Sequence, residues 1–270
     1  GGAVRSVLEG GFPRVMLLRS FVIAFSMWSA IPMPQVEWDR DGMKYALCAF
    51  PFIGLAAGGA VWLWLFLCGG LGLTRLLAAA GAALLPVAVS GGIHLDGFCD
   101  ASDAIASRQG PEKKLEIMKD PRAGAFGVMA VCGYLLLSCA LWDALLAGKD
   151  PRVIEAVCLG FLLSRALSGF AVAVFPLAKE SGLAHTFATG AEKRVVAILD
   201  GHLAFFAAAG MVALAPLPGL AGAAGAALAF LWYLLVCRGF GGTTGDLAGW
   251  FLTVCEGAIL AGAVVGQAII

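Results

Sequence analysis

Between Gly91 and Asp103 the chain reads Gly91-Gly92-Ile93-His94-Leu95-Asp96-Gly97-Phe98-Cys99-Asp100-Ala101-Ser102-Asp103, so three aspartates and a histidine follow directly on a charge-free apolar run. A lipid bilayer would normally exclude such residues, which marks the stretch as a candidate active site. Wound as a helix at about 100° per residue, Asp96, Asp100 and Asp103 fall within an arc of roughly 60°, and their carboxylates converge on one face. Convergent carboxylates without clustered Cys or His suit a hard cation such as Mg²⁺. Cys99, inside the motif, is read as packing or neutral spacing rather than as a ligand.

The elements that hold this stretch are membrane helices. Hydrophobic residues make up 60% of the chain and charged residues 13%, with a mean hydropathy of +0.90. Windows of span length run over Tyr45 to Thr74, Leu76 to Leu95, Ala123 to Ala147, Val153 to Ala178 and Leu247 to Ile270, each near or above the roughly 20 residues that a crossing needs. Leu203 to Cys237 carries no charge and holds Ala215-Pro216-Leu217-Pro218-Gly219 near its middle, the signature of two spans joined by a tight turn. The expected fold is therefore all-α: one polytopic integral membrane domain over residues 1–270 with about seven transmembrane helices. Arg14 to Ile31, interrupted by Arg19 and closed by Pro32 and Pro34, reads as an N-terminal interfacial or re-entrant helix, or a further crossing. The start Gly1-Gly2, without Met, points to processing, and no secretory signal with a small-residue cleavage site is expected.

Basic residues fall in alternate connections. One side holds Arg40, Lys44, Arg108, Lys113, Lys114, Lys119, Arg122, Lys179, Lys193, Arg194 and Arg238, and the other only Arg75, Lys149 and Arg152. The positive-inside tendency places the first side, and the aspartates with it, in the cytoplasm. The zero formal net charge conceals this separation and says nothing of a partner in solution. None of the eight cysteines forms a Cys-x-x-Cys pair and most lie in apolar runs, so neither disulfides nor zinc are expected.

Two long polar connections lie on the basic side. The first continues from the aspartates through Glu112 to Gly127; Pro111 opens and Pro121 ends a short amphipathic helix whose Lys113 and Lys114 could touch anionic lipid headgroups. Lys119 and Arg122, with Asp120, flank the return into the membrane, where they could supply the positive charge that a metal-bound phosphate requires. The second holds Lys179, Ser181, Gly182, His185, Lys193 and Arg194, either a ligand loop or an ordinary solvated one. Arg238-Gly239-Phe240-Gly241-Gly242-Thr243-Thr244-Gly245-Asp246 is a glycine-rich turn, either flexible or an anion-binding nest with Asp246 reaching a metal; with no Lys after the glycines it is not a Walker loop. Within the spans, Arg165 either pairs with Glu256 or faces a phosphate, the second being favoured, and Asp143 belongs to the outer headgroup region.

Together these motifs resemble the adenosylcobinamide-GDP ribazoletransferase family, the cobalamin synthases. The resemblance rests on His94-Leu95-Asp96-Gly97-x-x-Asp100-x-x-Asp103, Leu115-Glu116-Ile117-Met118-Lys119-Asp120-x-Arg122-x-Gly124-x-Phe126-Gly127, Ser164-Arg165, Lys179-x-Ser181-Gly182-Leu183 and Gly241-Gly242-x-Thr244-Gly245-Asp246 with Glu256 downstream. Ile31-Pro32-x-Pro34 and Phe50-Pro51-x-x-Gly54 add to it, while Ala184 and Trp250 depart from the pattern. The resemblance implies a multi-pass enzyme of the bacterial inner membrane with its site towards the cytoplasm, requiring Mg²⁺. It would transfer adenosylcobinamide phosphate from adenosylcobinamide-GDP to the 5′-hydroxyl of α-ribazole, or to α-ribazole 5′-phosphate, and release GMP. Membrane lipid and a second copy of the chain are further expected partners; nucleic acid is not.

On this reading Asp96, Asp100 and Asp103 hold the metal, His94 or an aspartate takes the hydroxyl proton, and Lys119, Arg122 and Arg165 steady phosphate oxygens. Asp120, Lys179, Ser181, Arg238, Gly242, Thr244, Asp246 and Glu256 are expected to bind substrate. A CDP-alcohol phosphotransferase would also use an Asp-Gly motif in a membrane helix, but Asp100-Ala101 stands where that signature needs Ala-Arg. A secondary transporter would place its polar groups near the midplane rather than at one face.

Overall fold

The computed structural model describes residues 13–270. Twelve helices are found among them: α1 (Pro13–Trp28), α2 (Arg40–Met43), α3 (Ala46–Leu71), α4 (Arg75–Val89), α5 (Ile93–Ala106), α6 (Pro111–Ile117), α7 (Ala125–Ala147), α8 (Pro151–Val174), α9 (Leu183–Gly190), α10 (Lys193–Leu214), α11 (Pro216–Arg238) and α12 (Gly245–Ala268). Six of them, α3, α7, α8, α10, α11 and α12, are long and apolar enough to cross a membrane. Large apolar side chains such as Leu136, Leu137, Phe205, Phe206, Leu228 and Leu231 stay exposed on their outer faces. This is a polytopic, multi-pass membrane protein, as expected.

The window expected to span from Leu76 to Leu95 is divided between two helices: α4 stops at Val89, and α5 leaves it at 92°. The cause is local. Gly91 (φ 63°) and Gly92 (φ 82°) both sit in the left-handed region, which glycine enters at no steric cost. Their N–H groups close the end of α4 on the carbonyls of Ala88 (3.1 Å) and Val87 (2.9 Å). Counted as one broken span, the pair brings the total to seven.

Helix α1, at about 24 Å for its length, is too short to cross a hydrocarbon core of about 30 Å alone. It lies along α3 with Ile23 and Ala24 fully buried. Gly1-Gly2, the start on which processing was expected, lies outside the described residues.

Helices α8 and α12 form the buried centre, packed against α3, α10, α11 and α5. Gly54 and Gly58 of α3 rest on the carbonyls of Phe161 and Cys158 of α8, and a Cβ at either would collide with that backbone; such small residues one turn apart let membrane helices approach closely. At the far end of the bundle Asp143 accepts from the Arg75 Nε (2.8 Å) and Nη2 (2.9 Å), joining α7 to α4. The turn between α10 and α11 falls at Ala215, with Pro216 at the first helical position, as the proline pattern implied.

Candidate active site

The sharp turn at Gly91-Gly92 sets the direction of α5, and with it of Asp96 and Asp100, one helical turn apart. Gly97 lies between them, and the N-terminus of α12 is packed on it: a Cβ built there would stand 2.9 Å from both Cα and the carbonyl oxygen of Asp246. Three carboxylates from two helices are thereby brought together. Asp96 is exposed, and Asp100 and Asp246 are half-buried.

A second junction fixes the glycine-rich turn. Thr243 donates its N–H to the Pro176 carbonyl (2.8 Å) and accepts one from Ala178 (2.9 Å), a single β-bridge joining 177 to 243. Gly242 (φ 151°) permits it, since a Cβ there would lie 2.6 Å from the Ala178 nitrogen. Tyr233 anchors the turn from below through a 2.5 Å hydrogen bond with the Thr243 hydroxyl. Thr244 caps α12 by accepting from the Leu247 N–H (3.1 Å). The bridge holds Lys179 and Ser181 opposite Thr244 and Asp246.

Around these residues is a cavity of about 410 Å³. Six of the residues expected to carry the chemistry or bind substrate line it, His94, Asp96, Lys179, Ser181, Thr244 and Asp246, whereas Asp100, one turn along α5 from Asp96, does not. His94 is buried, its ring edge-on to Phe50 at 5.6 Å, and its Nε2 has no hydrogen-bond partner within the protein.

The other expected residues are placed differently. Asp103 does not turn to Asp96 and Asp100; its oxygens accept the N–H groups of Gly124 (2.8 Å) and Gly127 (2.9 Å). That holds the start of α7, where four backbone donors would otherwise lack partners. Arg165, expected against a phosphate, is instead 2.5 Å from Glu256. The pair is buried in the bundle, 1% and 9% exposed, and Arg165 also donates to the Phe161 carbonyl (3.1 Å); neither residue lines the cavity. Lys119, Asp120 and Arg122 are exposed, outside the cavity wall. Arg122 forks onto Asp120 at 3.0 and 2.8 Å, and these hydrogen bonds hold the Asp120 carboxyl down to about 2. Arg238 is exposed and Gly242 is spent on the bridge; both are absent from the wall.

Three aromatic residues that the site reading did not assign complete the cavity: Trp28 from α1, Phe50 from α3 and Phe187 from α9. Phe50 belongs to the Phe50-Pro51-x-x-Gly54 motif, but no spacing ties it to the aspartates. Asp200, on α10, was also passed over; it is fully buried, and neither oxygen has a hydrogen-bond partner within the protein.

Among the described residues no three His, Cys, Asp or Glu side chains form a ready metal cage. Mg²⁺ does not need one, since it binds through one or two carboxylates and completes its shell with water and substrate phosphates. No cationic side chain forms a direct ion pair with Asp96, Asp100 or Asp246 among the described residues, so an all-oxygen donor set with an excess of negative charge is present and the residues fit that ion.

The chain is 42% identical over 249 residues to an adenosylcobinamide-GDP ribazoletransferase of Lachnoclostridium phytofermentans, covering 92% of this chain and 93% of that one. It is 36% identical over 255 residues to the protein of that name from Desulfitobacterium hafniense (91% and 96% covered), and 34% identical over 245 residues to that of Clostridium perfringens (90% and 96%). No solved structure matches it. The family model described as cobalamin-5-phosphate synthase matches residues 20–264, nearly the whole chain, and the chain belongs to that family.

Proposed function

We propose that this protein transfers the adenosylcobinamide-phosphate group of adenosylcobinamide-GDP to α-ribazole or α-ribazole 5′-phosphate, releasing GMP and forming adenosylcobalamin or its 5′-phosphate. The observation that carries this reading is the meeting of Asp96 and Asp246 with Lys179 and the N-terminus of α12 on one cavity. A pyrophosphate placed there finds the backbone N–H groups and positive dipole of a helix start and one lysine. It also faces two carboxylates that would repel it without a cation.

Asp96 and Asp100, with Asp246, are the residues that would hold Mg²⁺. When bound, the ion supplies Lewis-acid neutralisation of the pyrophosphate oxygens. Lys179 and the Thr244 hydroxyl orient the phosphates. With the phosphorylated acceptor the 5′ oxygen is already esterified, so a secondary ribose hydroxyl, rather than the 5′-hydroxyl expected above, is the nucleophile common to both acceptors. Its oxygen bonds to the cobinamide-linked phosphorus, the bond from that phosphorus to the GMP oxygen breaks, and GMP leaves with the electron pair. The proton passes to His94 or to a carboxylate of the cluster. The basic connections orient the site towards the cytoplasm of a bacterial inner membrane, with lipid against the exposed leucine and phenylalanine faces.

The test is GMP release by the purified protein in lipid, given donor and acceptor, with Mg²⁺ present or chelated. Metal-dependent GMP together with a cobalamin product, both lost in Asp96→Asn, is the expected result. Folded protein that yields neither product from either acceptor would overturn the reading.

A further inference from the structure

The lining of the cavity is divided by chemistry. Its charged groups, Asp96, Lys179 and Asp246, come from α5, the segment before α9 and the start of α12, whereas α1, α3 and α9 contribute aromatic rings. The Trp28 ring lies 4.9 Å from that of Phe50 and 4.5 Å from that of Phe187, so the three form one continuous wall. Phe50 and Phe187 are 5% and 1% exposed, held rigidly by packing, while Trp28 is half-buried.

We propose that this aromatic wall seats the base of the acceptor nucleoside, a fused imidazole bicycle with apolar edges, leaving its ribose at the polar side beside Asp96 and Asp246. The inference rests on the transferase reading and assigns one part of the cavity within it. At about 410 Å³ the space is near the small end of ligand pockets, about 300–1,000 Å³. It admits a nucleoside and excludes a corrinoid ring with its amide side chains, so the corrinoid stays outside.

The competing occupant is the guanine of the donor. Guanine needs partners for a ring N–H, an exocyclic amine and a carbonyl, and each one left unpaired in a buried site costs roughly tenfold in affinity. On the helices that carry the rings the lining offers His185 but no carboxylate to take the paired N–H groups; the carboxylates of the lining, Asp96 and Asp246, belong to α5 and α12. A fused imidazole has a single free ring nitrogen, which one donor satisfies.

The experiment measures equilibrium binding of α-ribazole, without donor, to the protein in lipid nanodiscs, alongside steady-state KM values for both substrates. Wild-type protein should bind α-ribazole, and GMP should not displace it. Trp28→Ala and Phe187→Ala should each weaken that binding by about tenfold or more, the loss of one base–aromatic stack, with the KM for adenosylcobinamide-GDP changed less than twofold. Trp28→Phe should recover to within about threefold of wild type. Displacement of α-ribazole by GMP, absence of α-ribazole binding to wild type, or a rise in donor KM without a rise in acceptor KM would each overturn the assignment. The wild-type competition does not depend on any variant folding. Binding without turnover in the complete assay would sink the reaction and leave the base site standing, whereas turnover with an unchanged acceptor KM in Trp28→Ala would sink the base site alone.

Discussion

Gly97 carries the backbone of Asp246: the Cα and carbonyl oxygen of Asp246 lie 2.9 Å from where a Gly97 side chain would begin. The distance between the two acidic helices is thus set by a missing methyl group. In Gly97→Ala the helix start must move outward, and overpacking of this kind costs about 1–3 kcal/mol. We expect GMP release to fall by about tenfold or more while the protein still inserts and folds. Thermal unfolding in detergent, run beside the rate assay, checks this; full activity in Gly97→Ala would show that the spacing of Asp246 from Asp96 and Asp100 does not matter to turnover.

Asp103 and Asp96 should separate by assay. Asp103 accepts two backbone N–H groups at the start of α7, and removing such a cap costs about 0.5–2 kcal/mol. Asp103→Ala should lower the unfolding temperature and Asp103→Asn, which keeps one acceptor oxygen, should lower it less. Asp96 is exposed and unpaired among the described residues, so Asp96→Asn should leave stability unchanged and remove at least about a hundredfold of the rate, the scale of losing one charge-stabilising group. An Asp103→Asn protein as stable as wild type but as inactive as Asp96→Asn would return Asp103 to the chemistry.

What the sequence made legible, and what it did not, follows from the range of each signal. The three aspartates share a helix face because helical periodicity is local, and α5 does run from Ile93 to Ala106. Which carboxylate faces what depends on chain that returns later: Gly124 claims Asp103, and Asp246 takes its place beside Asp96 and Asp100. The break at Gly91-Gly92 is visible as residues but not as a bend, because glycines also stand inside unbroken membrane helices, as Gly54 and Gly58 do in α3. Trp28, Phe50 and Phe187 come from three elements with no shared period, so only the fold could join them. Asp200 is a single acidic residue early in an apolar helix, and nothing in its neighbours signals that it is buried without a partner.

Asp120 supplies a prediction about pH. Its carboxyl is depressed to about 2 by the hydrogen bonds from Arg122. The contribution of a depressed carboxyl is present above its unfolded value, near 4, and is lost as the pH falls towards about 2. Asp120 therefore stays ionised, and paired, throughout any workable assay range. The acidic limb of the pH–rate profile between about pH 5 and 7 should have the same midpoint in wild type and in Asp120→Asn. A midpoint that moves in the variant would place the titration of Asp120, or the release of Arg122, within the reaction.

Arg165 and Glu256 neutralise each other inside the bundle at 2.5 Å, and the single and double substitutions should reveal this as architecture rather than phosphate binding. Arg165→Met leaves the Glu256 carboxylate without its cation inside the bundle, and stranding one member of a buried pair costs about 3–5 kcal/mol. Glu256→Leu does the same to the guanidinium, whose Nε already lacks a partner within the protein. In Arg165→Met/Glu256→Leu no charge is stranded, and stability should return to within about 1 kcal/mol of wild type, since an apolar pair of similar volume is often as stable as a buried ion pair. Activity should return with it, because neither residue lines the cavity. A double variant that unfolds like wild type yet shows at least about a hundredfold loss in GMP release, the scale of a charge clamp on a transferring phosphoryl group, would mean that Arg165 leaves Glu256 to meet the donor.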